Sequence, residues 1–388
     1  MASMMPAKIY DVAVVGAGVF GAWIALQLAR RGKRVLLLDA YGPGHSRSSS
    51  GDESRIIRMG YGADEIYTQW SQRSLVHWKE LFAATGNDAL FQKTGVLWLA
   101  ESGNPQMHAT HEILRRNCVP FQEFQRDALL ARYPQINLDG IATGIYEPES
   151  GVLMGRRAVA AVVAAALRHG VEFELAAIAE PTGNGTVEFI ESTSGEKFFA
   201  NQFVFACGAW LAKLFPTYLG NRIFSTRQAV FYFGIPAGDD RFSAAALPTW
   251  LIKNDECYGM PDVESRGFKI ALDRHGEAAD PDTQSRIVTT AEVEAIRRLV
   301  AFRFPALANA PIVETRVCQY ENTSSGDFLI DQHPALHNMW FAGGGSGHGF
   351  KHGPAMGEYV ARQLLDSAKP EPRFLLGQKE TIQRRAVY

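Results

Sequence analysis

A glycine-punctuated stretch near the start of the chain limits its fold more than anything that follows. Tyr10-Asp11-Val12-Ala13-Val14-Val15 is an apolar run ending at Gly16-Ala17-Gly18-Val19-Phe20-Gly21; a helical run then leads to Gly32 and Arg34-Val35-Leu36-Leu37-Leu38-Asp39. The first run reads as a buried parallel strand, the Gly-x-Gly-x-x-Gly as a turn into a helix, and 35–38 as the second strand of one βαβ unit. Gly16 allows the tight turn, Gly18 lets backbone N–H groups approach a pyrophosphate, and Gly21 lets the helix pack on the strand. Ala22, Ala25 and Ala29 keep that helix narrow. Its N-terminus, opened by Val19 and Phe20, offers unpaired donors and a positive dipole to phosphates, while Asp39 stands where a carboxylate accepts from ribose hydroxyls. A bare glycine triad is a weak signal. Strand, helix, second strand and terminal acid, in that order within about thirty residues, make it a nucleotide site.

The chain is long enough for two domains, because 388 residues exceed what one hydrophobic core usually serves. Its formal charge is −2 with no polybasic run, which argues against nucleic acid or an anionic membrane as partner. No apolar segment approaches the roughly twenty residues that span a bilayer. The first apolar run carries Asp11 and glycines, unlike a secretory leader. Cys118, Cys207, Cys257 and Cys318 are scattered without metal-type spacing, so no metal site is expected, and a reducing compartment, the cytoplasm, is the expected location.

After Asp39 a polar loop runs through His45, Ser48, Ser49 and Ser50 to Gly51-Asp52-Glu53-Ser54 and leads into Arg55-Ile56-Ile57-Arg58. Read plainly, it is a solvated linker. Hydroxyls, backbone donors and two arginines so close behind a phosphate loop also suit a long anionic cofactor or a carboxylate substrate. If 55–58 form a helical turn, the two guanidinium groups share a face, one toward cofactor and one toward substrate. Ile66, Trp70, Ser74, Trp78 and Phe82 recur at helical period and predict a helix with an aromatic core face. Strands are predicted over 91–100, 172–175, 187–189, 197–199 and 202–206, and an alanine-rich helix over 156–169. Cys207-Gly208-Ala209-Trp210 again breaks a buried strand at a glycine into a helix.

The middle of the chain changes character. Residues 227–233, 249–252, 257–260 and 267–272 are short strands separated by Pro and Gly, the pattern of an antiparallel sheet. On such a strand Lys269, Ala271 and Asp273 point the same way. Thr289-Thr290-Ala291-Glu292 predicts a capping box opening a helix to Phe302. A strand at 338–342, the loop Gly343 to Lys351 and a helix over 354–365 return to the opening pattern, and such a loop stabilises negative charge. The expected fold is α/β, α+β overall: a nucleotide-binding domain over 1–88, 150–222 and 317–388, interrupted by a substrate domain over 89–149 and 223–316.

Together these residues resemble the amino-acid oxidase superfamily of flavoproteins, most closely its monomeric sarcosine oxidase and N-methyltryptophan oxidase branch, over nearly the whole chain. The marks are 51–58, Ala206-Cys207-Gly208-Ala209-Trp210, Tyr258-Gly259-Met260-Pro261, Gly267-Phe268-Lys269, the segment from Cys318 to Pro334, and Gly347-His348-Gly349-Phe350-Lys351. The resemblance implies a Rossmann-type FAD-binding domain with an inserted antiparallel-sheet substrate domain, and FAD rather than NAD. It implies that Gly16, Gly18, Val19, Phe20, Gly21, Asp39, Ser48, Ser49, Arg55, Ile56, Gly208, Trp210, Gly344, Gly345, Gly347, Gly349, Phe350 and Lys351 hold the cofactor. Cys318 matches the cysteine bonded to the flavin 8α-methyl, although by itself a lone Cys reads as a small buried hydrophobe. Lys269 matches the lysine near flavin N5 that accelerates the reaction with oxygen, where a fixed cation stabilises superoxide and peroxide anions; alone it reads as a snorkelling lysine. Arg58 and Lys351 match the pair that holds the substrate carboxylate, with Arg55 near the ring and Tyr258 in the substrate pocket; alone, each cation reads as a solvated charge.

The departures bear on specificity. Where the family typically reads Gly-Asp-Thr-Arg behind a histidine, this chain has Ser50 and then Gly51-Asp52-Glu53-Ser54-Arg55, one residue longer. Asp273 stands where sarcosine oxidases carry an active-site histidine, and Met59 follows Arg58 where a histidine is common. An acid there suits a cationic amine or side chain, or else turns to Arg274 as a structural pair, so the expected substrate is an amine carboxylate other than plain sarcosine. The implied enzyme is a monomeric FAD-dependent oxidase of secondary amines, with oxygen as acceptor and hydrogen peroxide as product. Its rivals are a dehydrogenase of an amino or hydroxy acid that uses another electron acceptor, and a flavin-bearing subunit without its own turnover.

Overall fold

The strand Ile9–Val15 is buried from Val12 onward because neighbouring strands flank both its edges and an apolar core covers each of its faces. The computed structural model describes residues 8–384. Its first sheet has the strand order 329–332, 339–343, 197–205, 9–15, 35–39, 172–175, with 189–191 paired alongside 197–205. Ile9–Val15 runs parallel to both Lys197–Phe205 and Val35–Asp39, and only Leu329–Gln332 and Phe189–Glu191 oppose their neighbours. Alternation sends Val12, Val14, Val35 and Leu37 into one core and Ala13, Val15, Leu36 and Leu38 into the other, so both faces demand apolar side chains. The helix Val19–Arg30 is buried from Val19 to Ala29, with the helices Gly155–Arg168 and Gly353–Asp366 packed on it.

The second sheet has eight strands in the order 312–323, 223–233, 268–272, 257–260, 249–252, 96–100, 143–147, 122–125. Its neighbours are antiparallel, as the sequence predicts, except that Val96–Ala100 runs parallel to Thr249–Ile252. A third, small sheet joins Arg55–Ile57, Gly151–Leu153 and Phe91–Gln92. Among the described residues no helix is long and apolar enough to cross a membrane.

Three local expectations are corrected. Arg55–Ile57 is a strand, not a helical turn, because it pairs with Gly151–Leu153; Arg55 and Arg58 therefore leave the backbone toward different places. The strand expected over 91–100 is two strands in two sheets, broken at Gly95, whose φ of +70° turns the chain while its N–H donates to Ser150 O at 3.0 Å. The pieces expected at 197–199 and 202–206 are one strand, Lys197–Phe205. The helices Glu65–Ala84, Gly155–Arg168, Thr290–Arg303 and Gly353–Asp366 lie where periodicity predicts them, and the Thr289/Glu292 capping box is formed. The strand Ile312–Thr323 spans the expected domain boundary at 317, and the outermost residues of the expected 1–88 and 317–388 segments lie outside the described residues.

Candidate active site

A cavity of about 500 Å³ runs between the first sheet and the second. Gly16 lines its nucleotide end with φ +106°, and a Cβ there would stand 2.4 Å from Ala206 O, so only glycine makes this turn. Gly18 lines it too and opens the helix Val19–Arg30 without a side-chain cap, while Val19 N donates to Ser50 Oγ at 3.1 Å. Asp39 accepts from Ala17 N at 2.7 Å, Tyr41 N at 2.8 Å and Gly42 N at 2.9 Å, so its carboxylate shapes the glycine turn as well as facing the cavity. Phe20, Ser48, Ser49, Ile56, Gly208 and Trp210 line the same cavity. Gly21 and Gly344 are not in its wall: Gly21 packs on Gly16 O, and Gly344 on Thr323.

Midway, Asp52 ties three elements together. Its carboxylate accepts from Arg55 Nη1 at 2.6 Å, from Lys269 Nζ at 2.6 Å and from Tyr232 OH at 3.0 Å. Burial would raise its pKa, but Lys269 and Arg55 outweigh burial and hold the carboxyl far below its ordinary value. Lys269 is buried rather than snorkelling: it also donates to Ser54 O at 2.9 Å and Ser54 Oγ at 3.1 Å, and so stands behind the cavity wall, which Ala271 reaches from the same strand and Asp273 from just beyond its end. Arg55 Nη2 donates to Ser49 O at 2.6 Å and lies 3.7 Å from Cys318 Sγ, and both Arg55 and Cys318 line the cavity.

At the far end Arg58, Tyr258, Asp273 and Lys351 converge. Arg58 lies between the rings of Tyr61 and Trp98, 4.3 and 4.7 Å from their centroids, and donates to Gly60 O. Lys351 Nζ donates to Tyr61 OH at 2.8 Å and His348 O at 2.9 Å. Burial, then Arg58, push the Lys351 ammonium well below its ordinary value. The Asp273 carboxyl is raised by burial, while Lys253, Arg58 and Lys351 pull the other way; Arg274 is not among the cations acting on it, so the structural pair with Arg274 is not formed. Tyr258 hydrogen-bonds Tyr320, and burial raises its phenol. Gly345, Gly347, Gly349 and Phe350 close this wall; a Cβ on Gly347 would come within 2.7 Å of the Tyr320 ring.

The family model for FAD dependent oxidoreductases matches residues 11–363. The chain is a member of that family. A monomeric sarcosine oxidase from Bacillus sp. (strain NS-129) is 31% identical over 93% of this chain and 94% of its own length. An N-methyl-L-tryptophan oxidase from Citrobacter koseri is 26% identical over 91% of this chain and 94% of its own. In fold, an L-proline dehydrogenase from P. horikoshii superposes with a TM-score of 0.83 over 96% of this chain and 98% of its own, at 21% identity.

An FAD-dependent oxidoreductase needs a trough for a long dinucleotide, and the walls described fit one. The glycine turn leaves the start of a helix open to phosphate, while Gly345 and Gly349 leave room that a side chain would fill, a Cβ on Gly349 coming 2.8 Å from the Phe20 ring. Sequence reasoning missed several supports. Glu147, 1% exposed, accepts from Met59 N at 2.7 Å, Gly60 N at 2.9 Å and Trp98 Nε1 at 2.8 Å, and thereby fixes the backbone after Arg58. Asp52 enters the sequence reading only within a motif and His348 only within the glycine loop, while Tyr61 and His352 do not enter it at all; nothing in their spacing shows that they meet. Glu321 was also missed: its carboxyl lines the cavity, and burial, against the N–H groups of Gly344 and Gly345, pushes it up to about 7. Among the described residues no group of three His, Cys, Asp or Glu side chains could hold a metal ion.

Proposed function

We propose that the chain oxidises secondary amines bearing a carboxylate, N-alkyl or cyclic amino acids, to imines that water hydrolyses, with oxygen as acceptor and hydrogen peroxide as product. The observation that carries this reading is the placement of Arg58 and Lys351 in one end of the cavity whose other end is the glycine turn. Two buried cations hold a carboxylate there, and Tyr258 packs beside it. Asp273, on the same wall, takes the amine or a second cationic group of the substrate. FAD, when bound, supplies the two-electron acceptor for the C–H bond beside the amine and the route from there to oxygen. Lys269 keeps a positive charge at Ser54, where it stabilises anionic products of oxygen. Cys318 is the proposed point of covalent attachment, supported by its place in the wall beside Arg55. The relatives named monomeric sarcosine oxidase support a one-chain enzyme, and the unbridged cysteines support the cytoplasm.

The test is a panel of N-methyl amino acids, cyclic imino acids, opines and glycated amino acids given to the purified yellow protein and scored for peroxide. At least one amine carboxylate is expected to yield peroxide, and Arg58→Met is expected to lower kcat/KM for it on the order of a hundredfold, the cost of removing a buried charged partner. Turnover only with an artificial electron acceptor would make the protein a dehydrogenase. Bound flavin without any turnover would make it a flavin-bearing subunit.

A further inference from the structure

Behind Lys351 lies a buried cluster that the proposed reaction leaves without a role: Tyr61, His348 and His352, all at most 3% exposed. The Tyr61 hydroxyl is 2.8 Å from Lys351 Nζ, 2.8 Å from His352 Nε2 and 3.3 Å from His348 Nδ1. Donor and acceptor roles follow from chemistry. His348 Nε2 lies 3.0 Å from Gly326 O, and a carbonyl only accepts, so Nε2 carries the hydrogen and Nδ1 of a neutral ring is an acceptor. Burial and Arg58 disfavour the charge on Lys351, and a carboxylate bound beside it restores that charge; an ammonium only donates, so in that state the Tyr61 oxygen accepts from Lys351 and the phenol hydrogen turns toward the histidines. Burial lowers His352 well below its ordinary pKa, which leaves that ring neutral and able to accept as well. With Tyr61 and His348 O taking two N–H bonds of Lys351, one N–H remains for the cavity that Lys351 lines.

The geometry points to Tyr61 as the residue that aims the Lys351 ammonium at the substrate carboxylate, with His348 and His352 as positioning residues that hold the phenol in its accepting orientation. This rests on the carboxylate reading of the Arg58 and Lys351 end. Specificity for a carboxylate then belongs to the network rather than to the lysine alone. Without the phenol oxygen, a buried ammonium loses a charged hydrogen bond and no longer has a fixed third direction.

The experiment compares the best amino acid of the panel with its primary carboxamide, in the wild-type holoprotein and in Tyr61→Phe and His352→Phe. Tyr61→Phe is expected to lower kcat/KM for the carboxylate about tenfold or more, chiefly through KM, and that for the amide less than about threefold. His352→Phe is expected to have a smaller effect in the same direction, because His348 Nδ1 still accepts from the phenol. Propionate, followed by its perturbation of the flavin absorption, is expected to bind the Tyr61→Phe protein about tenfold more weakly, and this readout needs no turnover. A wild-type protein indifferent to amide against carboxylate would overturn the carboxylate reading itself. A discriminating wild type whose preference and propionate affinity survive in both variants would overturn the role of Tyr61 alone. Should Tyr61→Phe not fold, an unchanged preference in His352→Phe would still count against the network.

Discussion

Among single residues, the Asp52–Lys269 pair shows how charge can be kept in a dry place. Both side chains are almost wholly buried, 3% and 2% exposed, and each satisfies the other while Arg55, Tyr232 and Ser54 take the remaining bonds. Lys269→Met removes one of the two cations that donate to Asp52 and leaves Arg55, so we expect destabilisation of about 1 to 3 kcal/mol by denaturant titration, together with flavin reoxidation slowed far more than reduction in stopped flow. Equal slowing of both half-reactions would remove Lys269 from the oxygen step. Glu321 makes the opposite case, a buried acid whose pKa is raised from 4.5 to about 7. A raised folded pKa means the native state binds the proton more tightly, so stability is fully present below pH 4.5 and falls as pH rises toward 7, by about 3 kcal/mol in all. Glu321→Gln should flatten that part of the stability profile between pH 5 and 8, and a profile that stays parallel to wild type would contradict the assignment.

Among elements, the helix Gly353–Asp366 packs at backbone distance on the helix Val19–Arg30. A Cβ on Gly357 would stand 2.6 Å from Trp23 O, and one on Gly353 2.6 Å from Trp23 Cδ1, so two helices meet at backbone distance behind the phosphate turn. Alanine is the better helix former by roughly 1 kcal/mol, yet at 357 it meets backbone that cannot move aside. Gly357→Ala is therefore expected to be net destabilising by about 1 to 3 kcal/mol, read from the thermal midpoint. A rise in midpoint would show that the helices separate without cost. The small sheet has a comparable function: by pairing Arg55–Ile57 with Gly151–Leu153 it presents Arg55 to Asp52 and Arg58 to the Tyr61 and Trp98 rings, which a helical turn would not do.

For the molecule as a whole, the cavity is a seam between the two large sheets, with Gly16 and Asp39 on one side and Tyr258, Asp273 and Cys318 on the other. A ligand that fills the seam binds the folded chain only, so it stabilises both sheets together, by about 4 kcal/mol at a thousandfold excess over Kd. Protein prepared without flavin, by riboflavin-limited expression, is expected to melt several degrees below the yellow protein. Coincident calorimetric transitions for the two preparations would mean that the seam does not depend on the cofactor.

Much of this protein was legible in its residues because the signals are local. The turn from Val15 to Gly21, the helix from Glu65, the Thr289/Glu292 cap and the return of a glycine loop before Pro354 each depend on neighbours within a few positions, and the structure has them. The short pairings were not legible: whether Arg55–Ile57 is a helix or a strand, and where 91–100 breaks, depend on partners at Gly151–Leu153 and Thr249–Ile252 far along the chain. The same holds for the buried supports. Asp52 with Lys269, Glu147 with Met59, and Tyr61 with Lys351 are separated by 217, 88 and 290 residues, and burial in a shared low-dielectric site, which no sequence spacing encodes, is what makes each pair matter. Sequence alone determined that a nucleotide cradle forms at the N-terminus; only the closing of one sheet against the other decided which charges stand around its contents.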